Sequence, residues 1–305
     1  MGKRKRILHL GIFMVLSAVV LWELGTLGFG PINLLRDPLA FPQKCLSQAD
    51  GYKKWSCFEP YFEAVTQRVS TGAAMAEAKS LEKSGVVSDC HLFSHVIGVA
   101  SVEKYNFDMG QAFSSCVFGC SDGCFHGVME RYVRYASDPN DVASKVQNMC
   151  DSVGTEWIRK RQCIHGIGHG LIAHNFLPIQ DALKACESLD LDWRRHCVGG
   201  LTMEYVDQYL NRNLQESDLK KALPGICAPF ESTDPSYKVN SCVFQVSLGL
   251  MYYTGHDVER SRKLCEELGN QEYVRTCKND INEVVLIETP ANIDIEQFLE
   301  HLKVF

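Results

Sequence analysis

The chain of 305 residues lacks the motifs of several common enzyme classes. It contains no phosphate-binding loop, no serine or cysteine nucleophile motif, no pair of catalytic carboxylates and no CxxCH haem-attachment motif. Negative charge also exceeds positive charge, since the chain has 37 Asp and Glu residues and 31 Lys and Arg residues, a formal net charge of -6. A nucleic-acid partner therefore has no electrostatic support.

Long apolar runs are absent beyond the N-terminus, and so is the alternation of apolar and polar residues that is typical of β-strands. The exception is an apolar run over residues 7–29, broken only by His9 and Glu23, which follows a basic cluster at residues 2–6. We expect a transmembrane helix at residues 1–30, and an uncleaved signal anchor rather than a removed signal peptide because no clean small-residue cleavage site follows. Residues 31–44 would be a linker.

The basic cluster predicts the topology of the chain. Lys and Arg residues flanking a membrane span stay on the cytoplasmic side. The sequence thus predicts a single-pass protein of the cell membrane, attached through its N-terminal helix, with the bulk of the chain extracytoplasmic, either periplasmic or on the cell surface. Disulfides persist in such an oxidising compartment.

Cysteine is what the chain has in abundance, with 14 residues. Half of them recur at intervals of 33 to 45 residues, which is the period of a repeat protein. These seven are Cys57, Cys90, Cys124, Cys163, Cys197, Cys242 and Cys277.

Six of the seven repeat cysteines have a companion 8 to 15 residues upstream. Pairing within each repeat leaves Cys90 and Cys120, so seven disulfides would use every thiol. The pairs would be Cys45–Cys57, Cys90–Cys120, Cys116–Cys124, Cys150–Cys163, Cys186–Cys197, Cys227–Cys242 and Cys265–Cys277. Buried free thiols or thiolate metal sites are the alternative, which the predicted oxidising compartment disfavours.

Each repeat reads as a helical hairpin. The first helix ends in its cysteine, as in VQNMC and ALKAC, and the second carries the partner cysteine followed by apolar residues. Because one hairpin cannot bury its apolar face alone, we expect an all-α fold, an α-solenoid of about seven disulfide-stapled hairpins over residues 45–288. Residues 289–305 would form a C-terminal capping helix.

One repeat also carries a family pattern. Residues 247–255, SLGLMYYTG, and residues 261–265, SRKLC, resemble the LGxxYxxG and helix-ending AC pattern of Sel1-like repeats. The resemblance implies a helical-repeat architecture of the Sel1 or TPR type. Such repeats are mostly interaction scaffolds, which implies a protein or peptide partner on the concave surface.

Three consecutive repeats place metal-ligand side chains four residues apart, just after the repeat cysteine. Residues four apart share one face of a helix, and equivalent positions of adjacent helices lie about 8 to 10 Å apart. We therefore expect these side chains to converge on a mono- or dinuclear iron, copper or zinc site. The predicted ligands are His91 and His95, His126 and Glu130, and His165 and His169.

The segment HGIGHG adds three glycines, Gly166, Gly168 and Gly170, to this pattern. In a helix interior they would cost about 3 kcal/mol relative to alanine, so something must offset them. Either another helix or a flat cofactor such as non-covalent haem approaches closely, or the segment is irregular around a metal.

Three interpretations of the histidines remain open: a metal site, a haem site, and half-buried structural residues. His174 is a weaker ligand candidate, and Glu204 reads as part of a solvated helix face, with a supporting position behind a metal ligand as the alternative. The leading hypothesis is an extracytoplasmic helical-repeat protein with a histidine-rich transition-metal site, which would suit a redox or hydrolytic metalloenzyme. A non-enzymatic interaction scaffold and a haem-binding protein are the alternatives, and the sequence does not decide whether the protein is an enzyme.

Overall fold

The computed structural model describes residues 39–48, 51–136, 138, 142–153, 156–210, 215–231 and 237–288. These residues contain helices and connecting turns but no β-strand, which confirms the predicted all-α class. The described residues from Pro42 onward belong to one unit. Residues 1–38 and 289–305 lie outside the described part of the chain, so the predicted anchor, most of the linker and the capping helix are not described.

Long helices alternate with shorter ones along most of the chain. The helices are α1 (Tyr52–Arg68), α2 (Thr71–Lys83), α3 (His91–Lys104), α4 (Met109–Ser115), α5 (Gly123–Ala136), α6 (Val142–Met149), α7 (Trp157–Ile172), α8 (Ile179–Glu187), α9 (Leu191–Leu210), α10 (Glu216–Ala222), α11 (Tyr237–Thr254), α12 (Val258–Cys265) and α13 (Gln271–Glu288). A short 3-10 helix, Gln43–Ser47, precedes α1.

Polar side chains cap the N-termini of several of the shorter helices. Ser70 accepts a hydrogen bond from the backbone N–H of Ala73 at the start of α2, and Asp108 and Asp257 cap α4 and α12 in the same way. Such caps satisfy backbone donors that have no partner within the helix. Local sequence therefore fixes where each of these short helices begins.

All fourteen cysteines are paired, and the seven disulfides are those predicted from the spacing. Six of them join residues 8 to 15 apart and tie the segment before a long helix to that helix. The Cys90–Cys120 disulfide differs, because it spans 30 residues and joins the start of α3 to the loop before α5.

The odd-numbered helices α1 to α13 pack side by side in chain order. Two hydrogen bonds also join parts of the chain that are not neighbours in this array, and the solenoid arrangement itself stays a prediction. The Tyr52 hydroxyl in α1 donates to Asp207 in α9 at 2.6 Å, and the Tyr252 hydroxyl in α11 donates to Asp89 ahead of α3. In an open solenoid each repeat would contact its neighbours alone, whereas these bonds join residues 155 and 163 positions apart.

Helices α3 and α5 approach each other at glycines. A Cβ atom added at Gly98 would overlap the carbonyl oxygen of Cys124, and one added at Gly127 would overlap the carbonyl oxygen of His95. The contact is reciprocal, with each helix offering a glycine to the backbone of the other. Backbones so close bring the side chains beside the crossing within reach of one another.

The three glycines of HGIGHG lie within α7, which is a continuous helix through all of them. They too allow neighbouring helices to approach closely. Gly168 faces the carbonyl oxygen of Cys197 in α9, whereas Gly166 and Gly170 face Met129 and Val133 in α5. Of the two explanations of these glycines, close helix approach is therefore correct. The faces on which they lie are occupied by helices and not by a planar ligand.

The predicted localisation in the cell membrane needs correction. No helix in the described ranges is both long enough and apolar enough to cross a bilayer. The longest, α9, carries several charged residues, among them Arg194, Arg195 and Asp207. The disulfides, in contrast, do indicate an oxidising, extracytoplasmic environment.

The glycine contacts predict a matched pair of substitutions. Gly168→Ala should destabilise the protein by about 1 to 3 kcal/mol because the new methyl group forces α7 and α9 apart. Gly72→Ala, in α2, meets no atom within 4 Å and should instead stabilise by about 0.5 to 1 kcal/mol. Denaturant unfolding measures both, and equal stabilities would refute the close approach of α7 and α9.

Candidate metal centre

The candidate ligands lie on four neighbouring helices in two layers one helical turn apart. The first layer holds His91 of α3, His126 of α5 and His165 of α7, each one or two residues after a repeat cysteine. The second layer holds His95 of α3, Glu130 of α5, His169 of α7 and Glu204 of α9, five to seven residues after a repeat cysteine. The common register thus places equivalent positions of successive repeats together.

The five histidines of these layers form one connected cluster of rings. Within the first layer the ring centroids of His126 and His165 are 4.4 Å apart and those of His91 and His126 are 5.6 Å apart. In the second layer the His95 and His169 centroids are 4.8 Å apart. The layers also touch, because the His126 centroid lies 5.4 Å from that of His95 and 5.5 Å from that of His169.

Two overlapping groups of three histidines could each hold a metal ion. One is His91, His95 and His126, and the other is His126, His165 and His169. In each group the potential ligand atoms lie within 4.8 Å of one another, so the side chains do converge. A third group contains Cys90, whose sulfur is in a disulfide and offers no thiolate.

Two of the histidines are held from outside by neutral oxygen acceptors. The Nδ1 atom of His91 lies 3.1 Å from the carbonyl oxygen of Cys120. The Nε2 atom of His126 lies 2.8 Å from the side-chain oxygen of Gln162, whose amide nitrogen donates to Asp122 at 2.6 Å. Metal-binding histidines are commonly oriented in this way by an acceptor on the ring nitrogen that faces away from the ion.

Carboxylates lie behind two others. The Nδ1 atom of His95 is 3.6 Å from Glu130, and that of His169 is 3.4 Å from Glu204. Glu130 belongs to neither group of three, and its place beside Nδ1 of His95 suits a side chain that orients a ligand. Of the two readings of Glu204, the supporting position fits and the solvated face does not, since its side chain is only 18% exposed and faces His169.

The central observation at this site is that four of the five histidines have a ring nitrogen without a partner among the described residues. The Nε2 atoms of His91, His165 and His169 and the Nδ1 atom of His126 are buried and have no hydrogen-bond partner within the described ranges of the chain. A buried polar atom left without a partner costs about 1 to 3 kcal/mol. Four of them in one cluster are a large cost to stability, which a bound cation would offset.

Burial also keeps the imidazoles neutral. It lowers the pKa of His126 to about 3, with a further contribution from the charge of His91. Burial, followed by the neighbouring imidazoles, lowers the pKa values of His95, His165 and His169 well below the ordinary range. At neutral pH these rings therefore carry a free lone pair, which is the form that binds a metal.

A group of buried carboxyls adjoins the second layer. Burial, followed by the charge of Glu204, raises the pKa of Glu130 to about 8, and burial raises the pKa of Asp207 to about 7. His174 is exposed, with its Nε2 atom 4.0 Å from Glu130. It lies at the rim of the site and in neither group of three histidines.

Comparison of the chain with models of known protein families, with curated proteins and with solved structures finds no match. The resemblance to Sel1-like repeats therefore stays a prediction. Fold and site together define the class of the molecule as an all-α, disulfide-stapled protein with a buried cluster of five histidines.

The raised pKa of Glu130 predicts a pH-dependent effect of Glu130→Gln in metal-free protein. A carboxyl whose pKa is raised on folding weakens stability as the pH rises from its unfolded value near 4.5 to its folded value near 8. Wild type and variant should unfold alike at pH 4, and the variant should be more stable by on the order of a few kcal/mol at pH 8.5.

Chemical unfolding with a chelator present measures this difference at both pH values. Glu156→Gln is the control, because that side chain is 69% exposed and surface substitutions change stability by about 0.5 kcal/mol or less. A difference for Glu130→Gln that does not grow with pH would contradict the burial of this carboxyl.

Proposed function

We propose that this protein binds one transition-metal ion through the imidazoles of His91, His95, His126, His165 and His169, in an oxidising compartment outside the cytoplasm. The observation that carries the proposal is that four histidines of the two overlapping groups each have a buried ring nitrogen with no protein partner in the part of the chain that the structure describes. Histidines that were merely structural would be expected to satisfy both ring nitrogens.

The shared residue His126 favours a single ion. A neutral imidazole has one lone pair, and the Nε2 atom of His126 is engaged with the oxygen of Gln162. Only Nδ1 is left to bind a metal, so His126 cannot serve two ions at once. The two groups of three histidines, which share His126, are therefore overlapping halves of one centre.

The donor set narrows the choice of metal. All its atoms are imidazole nitrogens, which suit iron, copper and zinc, and thiolate is missing because every cysteine is in a disulfide. For such a site the affinity for divalent ions rises from iron to copper and falls again at zinc. We thus expect Cu²⁺ to bind more tightly than Zn²⁺ or Fe²⁺.

A metalloenzyme is the second candidate function, and the shape of the site favours it. The side chains of His95 and Glu130 are each 13% exposed, so the cluster is open to solvent on that edge. An ion that keeps an accessible position can bind a small molecule, whereas a structural ion is enclosed by its ligands. Redox chemistry at iron or copper and hydrolysis at zinc both fit such an edge.

An interaction scaffold, with a protein or peptide partner on its concave face, is the competing class. It would account for the helical repeats and for the Sel1-like pattern of residues 247–255. A scaffold role gives no reason for the five imidazoles to meet. Haem does not fit either, because helices occupy the faces on which the glycines lie. Metal binding explains why the imidazoles meet and needs no open space beside the glycines.

Metal analysis of the purified full-length protein, together with titration calorimetry of chelator-treated protein with Cu²⁺ and Zn²⁺, tests the proposal. Wild type should bind one ion per chain. The double substitution His165→Ala and His169→Ala removes two of five ligands and should weaken binding by at least about 100-fold. Helical content should change little, because the disulfides hold the hairpins together.

His196→Ala is the matched control. This histidine packs between Trp157 and Trp193 outside the cluster, so its removal should leave metal affinity unchanged. Absence of binding by wild type at micromolar metal would overturn the proposal, and so would equal binding by wild type and the double variant.

A further inference from the structure

We propose that Asp122, acting through Gln162, fixes the tautomer of His126 and so makes its Nδ1 lone pair available to the metal. The same short loop, Gly119 to Asp122, fixes the tautomer of His91. The importance of this for metal affinity rests on the proposed function, but the protonation pattern itself does not.

The loop is held in an unusual conformation. Cys120, Ser121 and Asp122 have φ angles of 53°, 46° and 61°, three consecutive residues in the left-handed region. Such a run of non-glycine residues is costly and persists only where the surroundings enforce it. Two constraints do so here: the disulfide to Cys90, and a hydrogen bond of 3.2 Å from the Gly119 N–H to the Oδ1 atom of Asp122.

A chain of hydrogen bonds with one direction leads from this loop to His126. The ionised carboxylate of Asp122 only accepts, so its Oδ2 atom takes a hydrogen bond from the amide nitrogen of Gln162 at 2.6 Å. The amide oxygen of Gln162 must then face His126, where it lies 2.8 Å from Nε2. Because that oxygen also only accepts, Nε2 carries the proton and the lone pair is on Nδ1.

The loop fixes the tautomer of His91 through a direct hydrogen bond. Its Nδ1 atom lies 3.1 Å from the carbonyl oxygen of Cys120, which can only accept, so Nδ1 carries the proton and Nε2 the lone pair. Both nitrogens left with lone pairs, Nδ1 of His126 and Nε2 of His91, are among the buried atoms with no hydrogen-bond partner in the described residues. The loop thus fixes the tautomers of two ligands, that of His91 through Cys120 and that of His126 through Asp122 and Gln162.

The near-isosteric substitution Asp122→Asn tests the polarity of this chain. The N–H of Gly119 holds the oxygen of the new amide, so the amide NH₂ replaces Oδ2 and faces Gln162. Gln162 must turn its oxygen toward it and present its own NH₂ to His126. Nε2 of His126 then becomes the acceptor, and the proton moves to Nδ1, where it blocks the metal.

Long-range ¹H–¹⁵N spectra of metal-free full-length protein, labelled at histidine, report which ring nitrogen carries the proton. In wild type we expect protonated Nε2 on His126 and protonated Nδ1 on His91. In Asp122→Asn the His126 pattern should reverse while that of His91 stays the same, since its acceptor is a backbone carbonyl. Metal affinity should fall by about 10- to 100-fold.

Asp108→Asn is the matched control. It removes the same charge from the cap of α4, away from the cluster, and should alter neither the tautomers nor metal affinity. As a second variant, Gln162→Met breaks the chain of hydrogen bonds without changing any residue of the loop. It should leave His126 as a mixture of both tautomers.

The outcomes separate this inference from the proposed function. Unchanged Nε2 protonation of His126 in both Asp122→Asn and Gln162→Met would overturn the tautomer assignment, whatever the metal affinity. Failure of wild type to bind metal would overturn the proposed function alone, because the spectra of metal-free protein still decide which nitrogen is protonated.

Discussion

The site depends on how closely the backbones of neighbouring hairpins approach. Imidazoles can share one ion only if their nitrogens lie within about 4 Å, since each sits roughly 2.0 to 2.1 Å from the metal. Ordinary helix pairs, with axes about 8 to 10 Å apart, do not guarantee this. Gly98 and Gly127 at one crossing, and Gly168 and Gly200 at another, remove the side chains that would hold the helices apart.

The same closeness gives the cluster its electrostatic character. Rings packed against one another and away from water stay neutral, because each charged imidazole would be buried beside others. The carboxyls behind the second layer, Glu130 and Glu204, lie 3.6 Å from His95 and 3.4 Å from His169 and are not members of the groups of potential ligands. A neutral inner shell backed by acidic groups can accommodate the positive charge of a metal ion.

Much of this arrangement could be predicted from local spacing. The disulfides follow from the cysteine intervals, because each staple except Cys90–Cys120 closes a short segment of one repeat. The convergence of His91, His126 and His165 follows from their common register after the repeat cysteine. Periodic features of this kind are encoded within single repeats, and a repeat fold places them side by side.

The remaining features depend on contacts between distant parts of the chain. Nothing in the sequence pairs Tyr52 with Asp207 or Asp89 with Tyr252, yet these bonds connect α1 with α9 and the segment before α3 with α11. The role of Gln162 could not be seen either, although its place just before Cys163 is a weak indication. The place of Glu204 stayed open in the sequence because one helix face alone does not tell whether a neighbour covers it.

The central claim is that the five histidines bind a single transition-metal ion, and anomalous X-ray diffraction from crystals grown with Cu²⁺ tests it most directly. Maps calculated at the copper absorption edge should show one strong peak per chain, about 2 Å from the inward nitrogens of His126 and its neighbours. A peak confined to surface residues, or a cluster in which each of these nitrogens bonds to protein or to water, would contradict the account.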